Sequence, residues 1–178
     1  VAKNAIYDYR GDAINIVGKC AFNATSPASS FQAAFTEVEV DTETGEVKLL
    51  KMVIAHDIGK AINPLSVEGQ IEGGAVQGIG YALTEDFIID METGVTITDS
   101  HETYKIPSTL DTPDIEVILV EKAEPTGPFG AKGVGEPSLV TIAPSIANAV
   151  YDAVGVRVKD MPLTPEKVLG SLKAKSPH

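Results

Sequence analysis

Glu136 is the side chain in this sequence best placed to move a proton. It stands near the end of GPFGAKGVGEPSLV, Gly127 to Val140, where Gly127, Gly130, Gly133 and Gly135 lead into the acid and Pro137 follows it. Glycine serves where the backbone must reach positive φ or where another group must come close. Proline is tolerated at the first helical position. The pattern predicts a stiff loop entering a helix, with the Glu136 carboxylate at the junction and aimed into a cleft, as a general base would be. A glycine-rich turn whose acid merely complements a helix dipole fits the same residues. A second candidate lies upstream. Gln70 and Gln77 are seven residues apart, so on a helix they share a face, with Gly73 and Gly74 between them. That face offers amide donors and acceptors beside bare backbone, a surface suited to a planar heterocycle with polar edges. Tight packing of a neighbouring element on small residues is the alternative.

Other constellations carry less. His101-Glu102 begins a zinc-protease helix motif, but position 105 is Lys105, where a second His is required. His56-Asp57 has no further ligand candidates nearby, so surface or hydrogen-bonding roles fit it better than metal ligation. Neither His101 nor His56 is read as a metal ligand. The glycines around Lys132 lack the Gly-Lys-Ser/Thr of a phosphate-binding loop, and those from Gly73 to Gly80 lie inside a helical segment, not at a strand-to-helix turn. A single cysteine, Cys20, excludes an internal disulfide framework, a thiolate iron–sulfur cage and a multi-cysteine zinc site.

The elements that position these groups read as a mixed set. Residues 13–19 have the character of a short strand. Phe35 to Asp41 alternates apolar and acidic residues, Thr42 to Glu46 supplies turn chemistry, and Val47 to Ala55 returns, giving a hairpin. Leu65 to Leu83 is helical in pattern although five glycines should each weaken it by roughly 1 kcal/mol, which predicts close packing against that helix. A second hairpin is expected from Asp86 to Asp90 and Gly94 to Thr98, and a strand from Ile115 to Glu121. Leu139, Ile142, Ala143, Ile146, Val150 and Val154 mark an amphipathic helix ended by Gly155 and kinked or split by Pro144. Thr164-Pro165 caps a last helix towards Lys173. The fold class is α+β, with hairpin strands and helices and no alternating βα series.

The 178 residues fit one domain with a real core, and 43% hydrophobic with 22% charged residues is a globular composition. A formal net charge of −11 argues against a nucleic-acid surface. No apolar run approaches the ~20 residues of a membrane span. A cytoplasmic location is the default. Starting at Val1, the chain reads like the inside of a longer polypeptide, either a domain segment or a processed subunit.

Three separated motifs then combine. The strings INPLSVEGQIEGGAVQGIGYALTED, YKIPSTLDTPDIEVILVE and GPFGAKGVGEPSLVTIAPSIANAVYDAVG, followed by PLTPEKVL, resemble one family in uninterrupted order. That family is the xanthine dehydrogenase and aldehyde oxidase group of molybdenum hydroxylases, and the similarity is to the C-terminal part of its molybdenum-binding subunit. It covers residues 31–169, with 1–30 a loosely matched leader and 170–178 a tail.

The resemblance implies that Glu136, the glutamate of the GVGEP motif, is the general base. It implies that Gln70 contacts a pterin cofactor, with Gly69, Gly73 and Gly74 permitting close approach and Gln77 on the same face. The loop carrying Lys132, Gly133 and Gly135 is expected to wrap the active-site side of that cofactor, Lys132 being an anchor or a surface residue. The implied cofactor is molybdopterin in a dinucleotide form, whose dithiolene holds the molybdenum, so no residue of this chain is expected to bind the metal directly and a chain with one cysteine can still serve a metal site. The implied partners are the remainder of the molybdenum-binding subunit, 2Fe-2S and FAD domains or subunits, and a small-molecule substrate, with no nucleic acid and no membrane. The expected activity is oxidation of a carbon centre in an aldehyde, purine or other N-heterocycle, with water as the oxygen source. A non-catalytic assembly module retaining the same fold is the alternative.

Overall fold

The computed structural model describes residues 18–21 and 28–175. Its centre is a three-stranded sheet in the order β1-β2-β3. Strand β1 (Gln32–Val40) and strand β2 (Val47–Gly59) form the expected antiparallel hairpin, longer at its open end than the alternation indicated. The turn is fixed by Asp41, whose carboxylate accepts the Glu43 N–H at 2.8 Å. Strand β3 (Asp114–Glu121) lies parallel to β2, so β2 has a partner on each side.

Parallel neighbours need a crossover, and helix α1 (Pro64–Leu83) supplies it. The chain therefore contains one strand–helix–strand unit where no βα alternation was expected. It is hidden in the sequence because residues 84–113, between the helix and β3, form no long element. The hairpin expected in that segment reduces to a single antiparallel bridge, Ile89 to Thr96. Phe87, Ile88, Ile89, Val95 and Ile97 are exposed there, and two strands with no third neighbour among the described residues do not make a stable sheet. The strand expected over residues 13–19 falls largely outside the described residues.

Helix α1 starts at Asn63, whose side chain accepts the Ser66 N–H at 3.3 Å, with Pro64 in the first turn. It holds despite its glycines because Ile71, Ala75, Ile79 and Ala82 are buried against Met52 and Ile54 of the sheet, in one core with Ile142 and Ile146. Each isoleucine or methionine of this core contributes roughly 1.5–3 kcal/mol when fully buried. The amphipathic segment after the glycine loop forms two helices, α2 (Pro137–Val140) and α3 (Ile142–Val154). Pro144 explains the break. Its ring would clash with the Val140 carbonyl and has no N–H to offer it, so the chain breaks at Thr141 and Pro144 falls in the first turn of α3. Gly155 ends α3 at φ 66°, and α4 (Pro165–Lys175) completes the chain. The sheet face away from the core leaves Phe31, Phe35, Ile118 and Val120 exposed. Among the described residues no helix is long and apolar enough to cross a membrane.

Candidate active site

The C-terminal end of β2 is the foundation of the site, and the glycine loop grips it from both faces of the sheet. Alternation along the strand sends His56 into the core face and Asp57 to the opposite one. On the Asp57 side, the Lys132 N–H donates to the Ile58 carbonyl at 3.0 Å. The Lys132 ammonium meets the Asp57 carboxylate at 2.6 Å and the Ser29 carbonyl at 2.8 Å, with only 9% of its side chain exposed. The hydrogen bond from Lys132 holds the Asp57 carboxyl below the usual carboxylate range, against a smaller opposing effect of burial, and the Gly59 N–H adds to it. Gly59 is obligatory at this crossing. Its φ is +66°, and a Cβ there would overlap the Gly130 carbonyl and sit 3.0 Å from the Lys132 nitrogen.

On the core face the contacts are neutral. Ser138 of α2 is fully buried; its hydroxyl donates to the Gly135 carbonyl at 2.6 Å and lies 3.4 Å from the Gln70 carbonyl. Gln32, opposite His56 in the β1–β2 register, donates from its amide nitrogen to the Ser138 carbonyl at 3.2 Å and contacts His56 Nδ1 at 3.1 Å. The Gln32 amide oxygen accepts from the Thr141 hydroxyl at 2.6 Å. Burial pushes the His56 pKa down, and the neighbouring Asp57 charge only partly opposes that.

Glu136 sits between these two anchorages, immediately before α2, with Pro137 at the first helical position. It is exposed, and among the described residues its carboxylate has no hydrogen-bond or ion-pair partner. Gln70 and Gln77 are exposed along α1, and a Cβ at Gly69, Gly73, Gly133 or Gly135 would meet nothing within 4 Å. Gly69 and Gly73 border a groove of about 540 Å³ whose other wall is the segment from Pro107 to Ile115. Two of the expected contact residues are engaged otherwise. A Cβ at Gly74 would lie 2.7 Å from the Ser138 Cβ, so Gly74 is the seat for α2, and Lys132 is committed to Asp57. Adjacent glycines of one helix thus face different neighbours, because a step of one residue turns a helix by ~100°.

Ser138 is where the two motifs meet: with its hydroxyl donated to the Gly135 carbonyl, it packs on Gly74 beside the Gln70 turn, 68 residues away in sequence. Sequence reasoning missed Gln32, Asp57, Ser138 and Thr141; of the surface or hydrogen-bonding roles expected for His56, the structure supports the second, since the ring is fully buried and contacts Gln32. A signal was present. Gln32 stands in phase with Ala34, Thr36 and Val38 on the inward side of β1, and a polar residue in that phase needs a partner. Among the described residues no three His, Cys, Asp or Glu side chains form a group that could hold a metal ion.

The comparisons with known proteins agree with one another. A family model described as the molybdopterin cofactor-binding domain matches residues 2–113, a span that begins inside the loosely matched leader and ends before the glycine loop. The putative xanthine dehydrogenase molybdenum-binding subunit of Escherichia coli (strain K12) is 37% identical over 148 residues, 83% of this chain and 20% of that protein. The aldehyde oxidoreductase molybdenum-binding subunit of the same organism is 38% identical over 145 residues, 81% of this chain and 20% of that protein. The crystal structure of the aldehyde oxidoreductase from Desulfovibrio desulfuricans superposes with a TM-score of 0.74 at 43% identity, over 80% of this chain and 15% of that one. The chain thus spans about a fifth of the length of these curated relatives. It belongs to the molybdopterin cofactor-binding domain family of xanthine dehydrogenase and aldehyde oxidoreductase molybdenum-binding subunits.

Proposed function

We propose that this chain supplies the general base and one wall of the cofactor site in a molybdenum hydroxylase, an oxidoreductase that adds water-derived oxygen to an electron-poor carbon. The observation that carries the reading is the packing of Ser138 on Gly74, which joins the turn carrying the exposed Glu136 carboxylate to the helix on which Gln70 and Gln77 are exposed, none of the three side chains having a hydrogen-bond partner among the described residues. The residues fit a molybdopterin. Gln70 and Gln77 offer donors and acceptors to a flat polar ring system, and Gly69, Gly73, Gly133 and Gly135 leave the backbone bare for close approach. When bound, that cofactor supplies the oxygen-transfer and electron-accepting chemistry. The chain's own part is to orient the cofactor along α1 and to accept, at the Glu136 carboxylate, the proton that the water-derived nucleophile must lose.

A flat group held against one open face keeps its other edges in water, whereas small-molecule sites bury roughly 70–90% of their ligand. The other walls therefore belong to the remainder of the molybdenum-binding subunit. The exposed Phe31, Phe35, Ile118 and Val120 on the outer sheet face support further protein packing there. Iron–sulfur and flavin partners complete the electron path in this reading. In the complete enzyme, Glu136→Gln keeps molybdenum and pterin content at the parental level and lowers turnover by about 10²–10⁴, the usual effect of losing a general base. Parental turnover at full molybdenum content would refute the assignment.

A further inference from the structure

We infer that Gln32 is a positioning residue for the Glu136 turn, acting through Ser138 and Thr141. The inference rests on the proposed role of Glu136 and goes beyond it to residues at the start of the chain's central hairpin. Every polar atom of the Gln32 side chain is assigned. Its oxygen accepts from Thr141, and its nitrogen reaches both the Ser138 carbonyl and His56 Nδ1. Because that nitrogen only donates, His56 Nδ1 must accept, which leaves the ring neutral with its proton on Nε2. An imidazolium would set N–H against NH2 and break the array. Buried neutrality therefore orients the Gln32 amide, and the amide holds both ends of α2, the short helix whose entry residue is Glu136.

The His56 Nε2–H is fully buried and has no hydrogen-bond partner among the described residues. A stranded buried donor is destabilising. An apolar pair at positions 32 and 56 would fill the same core layer without it, so packing alone does not account for the polar pair. What an apolar pair cannot do is fix the direction of Ser138. From Ser138 the geometry runs one way to the Gly135 carbonyl, just before Glu136, and the other way to the Gln70 turn. Gln32 thereby sets where the carboxylate sits relative to the helix face proposed to carry the cofactor.

The test uses the complete enzyme with Gln32→Met, Thr141→Val, Thr141→Ser and Glu136→Gln. Gln32→Met keeps the length of the side chain and removes its amide; Thr141→Val removes one hydroxyl and is the gentler change should the first fail to fold. Both are expected to retain molybdenum and pterin and to leave KM within about twofold, while kcat falls about 10–100-fold, as displacing a reacting group by an ångström does. Amide exchange of Ser138 and Leu139, which donate to the Gly135 and Glu136 carbonyls, should accelerate in both variants. Thr141→Ser restores the hydroxyl and should restore both the rate and the protection. Parental kcat with unchanged exchange in the two disruptive variants, beside an inactive Glu136→Gln, would overturn the role of Gln32 alone. An active Glu136→Gln would overturn the proposed base, and the positioning role with it.

Discussion

The two arms of the glycine loop are anchored by opposite kinds of chemistry. The arm before Glu136 is tied to the outer face of β2 by a charge pair, Lys132 with Asp57, and by backbone at Ile58. The arm after it is tied to the core face by a neutral array of Gln32, His56, Ser138 and Thr141. A charge pair holds strongly but is tolerant of direction, because its energy varies slowly with angle. An array of amide, hydroxyl and imidazole is weaker per contact and demanding in direction. The strong anchor thus fixes the loop to the strand, and the directional one fixes the turn that carries the acid.

Breaking the charged arm should produce the largest loss of stability. Lys132→Met leaves the largely buried Asp57 carboxylate with only the Gly59 N–H among the described residues, and at pH 7 should cost about 2–4 kcal/mol by urea denaturation. The loss should shrink in acid. The folded Asp57 pKa lies below its unfolded value of about 3.9, so the stabilisation is complete above that pH and fades as pH falls through the folded value. A loss that is the same at pH 7 and pH 3 would show that the charge is not what anchors this arm.

The seat of the other arm is tested by two neighbouring glycines. Gly74→Ala places a Cβ against Ser138 and should destabilise by roughly 1–3 kcal/mol. Gly73→Ala meets nothing within 4 Å, so in cofactor-free protein it should be neutral or stabilise by up to about 1 kcal/mol through helix propensity. Thermal unfolding of the pair is the measurement, and equal effects would remove the distinction between the two faces.

The smallest effect separates the arms by pH. Burial lowers the folded His56 pKa, so the unfolded chain takes up the proton first, and stability begins to fall as pH drops below about 6.5. Hydrogen exchange of Ser138 and Leu139 should therefore accelerate between pH 7 and pH 5, after correction for intrinsic rates, while the Lys132 amide keeps its protection. Simultaneous loss at both places would mean that the loop opens as one unit.

Much of the frame was legible in the sequence because local rules govern it. The β1–β2 hairpin follows from a period of two and an Asp-initiated turn, and α4 from Thr164-Pro165. The place of Glu136 before a helix follows from the tolerance of the first turn for Pro137. The hairpin at residues 86–98 keeps the expected turn and pairing but forms no long strands, because among the described residues no neighbour buries its apolar side. The split at Thr141 follows from Pro144 by geometry, yet its exact site needed the carbonyl of Val140, which only a built helix positions.

By itself the sequence determined the chemical inventory: an acid at the end of a glycine loop, two glutamines one helical face apart, and motifs shared with a molybdenum hydroxylase family. Tertiary structure alone decided how that inventory is divided. It turned Gly74 to Ser138 and left Gly73 open, took Lys132 for Asp57, and brought Gln32 and His56 under α2 from the far side of the core. The physical reason is range. Caps, turns and periodicities act over a few residues and are written locally, whereas the contacts that aim Glu136 join residues as far apart as 32 and 141, and such pairs exist only once the sheet and helices have packed.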